Sequence, residues 1–214
     1  MHKPPLKAQK RPSGAVIGVL GGIASGKSFV ARQLAGDRGL VIDADLLAHE
    51  VLKSQELTEL VTEAFGRGAL GEDGRPDRGA LAQRVFDDPA ARAQLEGWIH
   101  PRVRAKIQVA LDEAAAQEIG PVVLDVPLLL ENDAEHGLVD KCDHLVFIES
   151  DLEARDQRAV LSREWSPGEV ARREQSQHSL ADKKARADYT IENRGSLDEL
   201  DQSVRALREQ LLTS

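Results

Sequence analysis

The apolar run AVIGVL (15–20) leads straight into GGIASGKS (21–28), which matches G-x-x-x-x-G-K-[ST] through Gly21, Gly26, Lys27 and Ser28. A backbone this rich in glycine loses entropy when it is ordered, so a ligand has to offset the loss. Glycines let successive N–H groups turn inward and approach an anion closely. The loop runs into KSFVARQLAG (27–36), whose apolar residues fall on one helical face. A helix N-terminus offers free N–H groups and a positive dipole end to phosphate. Lys27 supplies a point charge for the β- and γ-phosphates, and Ser28 a hydroxyl for Mg²⁺. Strand, glycine loop and helix in this order imply a nucleoside triphosphate site at the edge of an α/β sheet.

Four further apolar runs follow: GLVIDAD (39–45), PVVLDVPLLL (121–130), HLVFIES (144–150) and DYTIEN (188–193). The first four of the five runs are near-continuous, the pattern of strands buried on both faces of a parallel sheet. The last is short and alternates, which fits an edge. Helical segments are expected over 46–66 and 78–116, separated by the turn GEDGRPDRG (71–79), with His100–Pro101 interrupting the second. Residues 151–186 are charged and small at helical propensity. The terminal helix opens at Ser196 with Glu199 three residues on, a capping box. The expected fold is a five-stranded parallel sheet sandwiched by helices. Its core comprises 15–45, 117–150 and 187–214, with a helical insertion (46–116) and a helical lid (151–186).

Charge and composition narrow the classes. The net charge of −8 argues against a nucleic-acid partner. No apolar stretch reaches the ~18 residues a membrane helix requires. A single cysteine, Cys142, excludes an intrachain disulfide and fits a reducing, cytoplasmic compartment. Residues 1–14 are basic, contain proline and lack an apolar follow-on, as expected of a disordered tail. The histidines at 49, 136, 144 and 178 have no metal-ligand spacing, so no structural zinc is expected.

The guanine-reading N-K-x-D and the L-S-G-G-Q of transport ATPases are both absent. A small-molecule kinase remains, and three constellations support it. Asp43 and Asp45 of VIDAD stand at the carboxyl end of a strand, where ligands of such sheets bind. A carboxylate there can orient an acceptor hydroxyl and take its proton. Asp45 equally suits the N-cap of a helix beginning at Leu46. Asp125 closes an apolar strand in the position that faces Mg²⁺ directly or through water, although many buried strands end in aspartate. Arg158 and Arg163 lie on a charged helical segment. It can close over phosphates, or simply be a solvated face held by i,i+4 pairs.

Taken together, GGIASGKS (21–28), VIDADLLAHEVL (41–52), IHPRVR (99–104), LDVPLLLE (124–131), QRAVLSRE (157–164) and QHSLADKKARADYTIENRGSLDEL (177–200) resemble the dephospho-coenzyme A kinase family. The likeness covers residues 15 to about 210. It implies Mg·ATP-dependent phosphorylation of the ribose 3′-hydroxyl of dephospho-CoA on a P-loop kinase fold. Asp45 is then the base or orienter. Gly22, Ala24, Ser25, Gly26, Lys27, Ser28 and Phe29 hold the ATP phosphates, with Arg158 on the lid and Arg163 supporting it. His100, Arg104, Asp125, Leu128 and Leu129 lie toward the acceptor, and Ser28 and Asp125 toward the metal. Family loops usually read GGIGSGKST. Here Ala24 replaces a glycine and Phe29 the second hydroxyl residue, which implies weaker ATP binding. Leu20 and Glu164 also depart from the family's usual threonine and aspartate. A P-loop kinase for another hydroxyl acceptor, or a non-catalytic nucleotide-binding relative, are the alternatives.

Overall fold

The computed structural model describes residue 12 and residues 14–213. Most of the expected tail, 1–11 and 13, lies outside the described residues. In chain order the elements are β1 (Val16–Gly21), α1 (Lys27–Ala35), β2 (Leu40–Asp43), α2 (Ala44–Leu52), α3 (Gln55–Phe65), α4 (Arg78–Phe86), α5 (Pro89–Ala116), β3 (Val122–Asp125), α6 (Asp133–His136), β4 (His144–Glu149), α7 (Leu152–Arg163), α8 (Glu169–Glu174), α9 (Leu180–Ala185), β5 (Tyr189–Glu192) and α10 (Leu197–Thr213). All five strands run parallel in the order β2-β3-β1-β4-β5. β1 is central, and its register sets Ile17 beside Val123 and His144. Burial follows this order. β1 and β3 are buried throughout, as their continuous apolar runs predict. β5 lies at one edge. β2 occupies the other, and only one of its four residues is buried, because hydrogen bonding and packing reach it from one side.

The chain divides into two units, one made of residues up to Ile42 and from Ala110 onward, the other of Asp43–Val109. In the sheet unit the core joins Ile17 and Val19 of β1, Val30 and Leu34 of α1, Val146 and Ile148 of β4, and Val204 and Leu207 of α10. The α10 start is a full capping box: the Glu199 N–H donates to Ser196 Oγ (3.3 Å) and the Ser196 N–H to Glu199 Oε2 (2.8 Å). Cys142 is half-buried, and its thiol donates to the Leu138 carbonyl. Burial, aided by the charges of Asp143 and Asp133, pushes that thiol up to about 12 and leaves it inert.

The second unit is helical. Its core gathers Leu52, Val61, Ala69 and Leu81, with Phe65 and Trp98 in ring contact at 5.9 Å. Caps set the helix boundaries. Ser54 accepts from the Leu57 N–H and so divides 46–66 into α2 and α3. Asp88 accepts from the Ala91 N–H, with Pro89 just inside the start of α5. The expected interruption at His100–Pro101 does not occur, and α5 runs through it. Pro101 and Gly97, the residue whose carbonyl loses its donor, are both exposed, so solvent satisfies that carbonyl. The Arg102 guanidinium also donates to the neighbouring Trp98 carbonyl at 2.7 Å and ties the turn together.

Candidate active site

The loop between β1 and α1 leaves a strand buried to its last residue and enters α1 through Gly26 at φ 96°, a left-handed conformation that favours glycine. Three successive carbonyls of the loop are held from outside it. Ile23 accepts from Arg155 Nη1 (3.3 Å), Ala24 from Arg158 Nη1 (3.3 Å), and Ser25 from Asn193 Nδ2 (2.8 Å). Carbonyls paired in this way are not left to face an anion bound at the loop. Ser25 is fully buried, and its Oγ lacks a hydrogen-bond partner.

Each of those donors is itself fixed. Arg158 also donates to Ser150 Oγ (3.0 Å) and, through Nη2, to the Asn193 carbonyl and Oδ1 (3.4 and 3.3 Å). Arg155 donates from Nε to the Ser150 carbonyl (3.1 Å). Ser150 follows β4 and Asn193 follows β5, so the carboxyl edge of the sheet carries the anchor points. Sequence reasoning singled out Arg158 but missed Arg155, Asn193 and Ser150. Arg155 was signalled by its i,i+3 spacing to Arg158, which places both on one face of α7. Asn193 had no local signal.

Lys27 begins α1 and folds back on the loop, donating from Nζ to the carbonyls of Gly22 (2.8 Å) and Gly21 (3.3 Å). Part of its surface stays open, but protein crowds the amine. Desolvation lowers the ammonium to about 8. Asp125 opposes the shift, Lys183 and Arg163 add to it, and Glu174 opposes it again. These couplings gather Lys27, Asp125, Lys183, Arg163 and Glu174 into one charged neighbourhood. Asp125 is buried at the end of β3. Ser28 is exposed in the first turn of α1, and Phe29 beside it packs against the sheet core. Arg163, at the end of α7, lies 5.0 Å from the Trp165 ring, which Arg173 also approaches at 4.1 Å.

Beyond Asp125 the chain turns sharply. Leu128 sits in the left-handed region at φ 56° with its side chain partly open. Leu129 does not open toward a ligand: it is 2% exposed, and its side chain lies over Gly18 of β1. Burying its isobutyl group in the core is worth about 2 kcal/mol, so Leu129 packs against β1 whatever it contributes to the acceptor side.

In the helical unit Asp43, not Asp45, caps α2: its Oδ1 accepts from the Leu46 N–H at 3.0 Å, and the helix begins at Ala44. The capping alternative for Asp45 is thereby corrected. Asp45 lies exposed in the first turn with its carboxylate not used as the cap. His100 is exposed and Arg104 half-buried on α5, an i,i+4 pair on one helix face.

Comparison with known proteins bears directly on this arrangement. Residues 15–199 match the family model for dephospho-CoA kinase. The chain is 39% identical over 197 residues to the dephospho-CoA kinase of Thermobifida fusca, covering 91% of this chain and 95% of that protein. It is 37% identical over 199 residues to that of Corynebacterium diphtheriae, covering 92% and 98%. Among solved structures it is similar to TT1252 from Thermus thermophilus, with a TM-score of 0.73, 33% identity, and coverage of 94% of this chain and 99% of that one. The dephospho-CoA kinase of Campylobacter jejuni shares the fold at a TM-score of 0.68 and 22% identity, over 94% and 100% of the two chains. The loop anchored at three successive carbonyls, the order of its strands and these likenesses lead to one assignment: the chain belongs to the dephospho-CoA kinase family.

Proposed function

We propose that this chain transfers the γ-phosphoryl group of ATP to the ribose 3′-hydroxyl of dephospho-CoA, giving coenzyme A and ADP. The observation that carries the reading is the tethering of Ile23, Ala24 and Ser25 by Arg155, Arg158 and Asn193, which sets the loop for a polyphosphate. Lys27 neutralises phosphate charge once its amine is drawn away from the Gly21 and Gly22 carbonyls. Arg158 and Arg163 stabilise the equatorial oxygens in transfer. Asp45 takes the proton of the 3′-hydroxyl as its oxygen bonds to the γ-phosphorus. The bond to the β–γ bridging oxygen breaks, and ADP leaves with that electron pair.

The donor set also fits magnesium. Ser28 offers a hydroxyl and Asp125 a carboxylate, hard oxygens of the kind Mg²⁺ shares with phosphates and water. Bound there, the ion neutralises charge on the β- and γ-phosphates. Among the described residues no group of three or more His, Cys, Asp or Glu could hold a metal, so Ser28 and Asp125 would hold the ion only together with bound nucleotide. The helical unit, with His100, Arg104 and Asp45, receives the acceptor, and residues 151–186 act as the lid. Among the described residues no helix is long and apolar enough to cross a membrane. The single cysteine suits a reducing cytoplasmic compartment, and the net charge of −8 argues against a nucleic-acid partner. The test is direct: incubate the protein with Mg·ATP and dephospho-CoA and weigh the product, with Asp45→Asn in parallel. Coenzyme A from the parent and almost none from the variant supports the reading. ADP without coenzyme A refutes the acceptor.

A further inference from the structure

Ile23 is held at both ends of its residue. Its carbonyl accepts from Arg155, and its N–H donates to Glu174 Oε1 at 2.7 Å. Arg155 and Glu174 are joined to each other by an ion pair through the same carboxylate oxygen. The Arg155 side chain is 3% exposed and that of Glu174 16%. Gly22, the residue before, is glycine for want of room: a Cβ there would stand 2.6 Å from Glu174 Oε1. The pair is therefore pressed onto the loop.

A buried ion pair is weak evidence for stability, because desolvating two charges costs about as much as their attraction returns. Fold maintenance alone is a poor reason to place one here. Its geometry serves another end. Arg155 is anchored to the sheet through the Ser150 carbonyl, and Glu174 ends α8. The carboxylate thus joins the α8 segment to the loop through a backbone N–H, and the guanidinium joins both to β4. Glu174 also lies in the charged neighbourhood of Lys27.

We propose that Glu174 and Arg155 are positioning residues for ATP. They lock the Ile23 peptide groups so that the phosphate loop is set before nucleotide arrives, and they fasten the α8 segment to that loop. Preorganisation of this kind raises affinity by removing the ordering cost from the binding step. The inference rests on the reading of residues 21–28 as the ATP-phosphate loop.

The experiment measures three variants, Glu174→Ala, Glu174→Gln and the apolar pair Arg155→Met/Glu174→Leu. Steady-state kinetics is run for both substrates, with calorimetric affinity for ADP and amide hydrogen exchange of the 21–26 segment. Glu174→Ala raises the KM for ATP and the Kd for ADP about tenfold, the loss of one charge-assisted hydrogen bond, and leaves the KM for dephospho-CoA within about twofold. Exchange quickens over 21–26 and stays unchanged in α10. Glu174→Gln recovers most of the affinity, since its amide oxygen still accepts from Ile23. The double variant leaves no buried orphan charge, so it serves as the folded comparison even should Glu174→Ala unfold, and it shows the same nucleotide defect. An unchanged ADP affinity and unchanged exchange over 21–26 overturn the proposal. So does a uniform rise in exchange across α10 and both Michaelis constants, which marks general destabilisation. A parent protein that makes no coenzyme A refutes the activity instead, and exchange and ADP affinity still judge the clamp.

Discussion

The side-chain amide of Asn193 donates to the Ser25 carbonyl across 2.8 Å, linking the end of β5 to the phosphate loop 168 residues earlier in the chain. The same side chain accepts from Arg158 through Oδ1. One buried asparagine thus holds both the loop and Arg158. Asn193→Ala is expected to lower kcat/KM for ATP about 10²-fold, since it loosens the loop and Arg158 together. Asn193→Asp retains the acceptor for Arg158 but sets a carboxylate against the Ser25 carbonyl, and is expected to be no better. Steady-state kinetics at varied ATP checks both; an alanine variant within threefold of the parent contradicts the assignment.

The two aspartates of VIDAD separate by role. Asp43 caps α2, so Asp43→Ala is expected to cost about 1 kcal/mol of stability. Asp45 is not the cap, and Asp45→Asn is expected to lower kcat about 10²-fold or more, as loss of a general base does. Thermal unfolding and turnover of both variants check this. A normal kcat for Asp45→Asn removes it from the chemistry.

Two loop positions trade nucleotide affinity against packing. Ala24 adopts φ 57°, where a Cβ is strained by about 1 kcal/mol, so Ala24→Gly is expected to relieve the loop. Phe29 packs against the core and has no hydroxyl to offer. Phe29→Thr is expected to lower the KM for ATP severalfold while destabilising the fold by about 2 kcal/mol through lost burial. A KM that does not fall in Phe29→Thr shows that the missing hydroxyl does not limit binding.

Lys27 gives the enzyme a pH signature. Its ammonium is lowered from 10.5 to about 8, chiefly by desolvation. Between those two values the folded chain binds fewer protons than the unfolded one, so stability rises with pH across that window. Below about 8 the desolvation cost is fully present. Nucleotide phosphates favour the charged amine, so ATP binding above pH 8 takes up a proton. kcat/KM for ATP is expected to fall as pH rises through about 8. Calorimetry at pH 8.5 in buffers of different ionisation enthalpy reads the uptake directly; no buffer dependence contradicts it.

Much of this site was legible locally. The glycine loop, Lys27 and Ser28 announce themselves by spacing, because phosphate chemistry demands those residue types within one strand–loop–helix turn, whereas Asp45, Asp125 and Arg158 stood out only as candidates whose roles came from the family resemblance. The strands were legible for the same reason, as a sheet buried on both faces requires continuous apolar runs. Where local reading failed, a nearby group had altered the balance. Asp43 took the cap that had been the alternative reading of Asp45. Exposure of Gly97 let α5 pass through Pro101.

The sequence by itself determined the fold class, the phosphate loop and the family, since each is written in short-range pattern. Only the tertiary structure decided what holds the loop. Arg155 and Glu174 meet at Ile23, and Asn193 reaches Ser25, across separations of 132, 151 and 168 residues. No periodicity or spacing encodes such meetings. They exist because parallel pairing delivers the ends of β1, β4 and β5 to one edge of the sheet, where a buried carbonyl or N–H must find a partner.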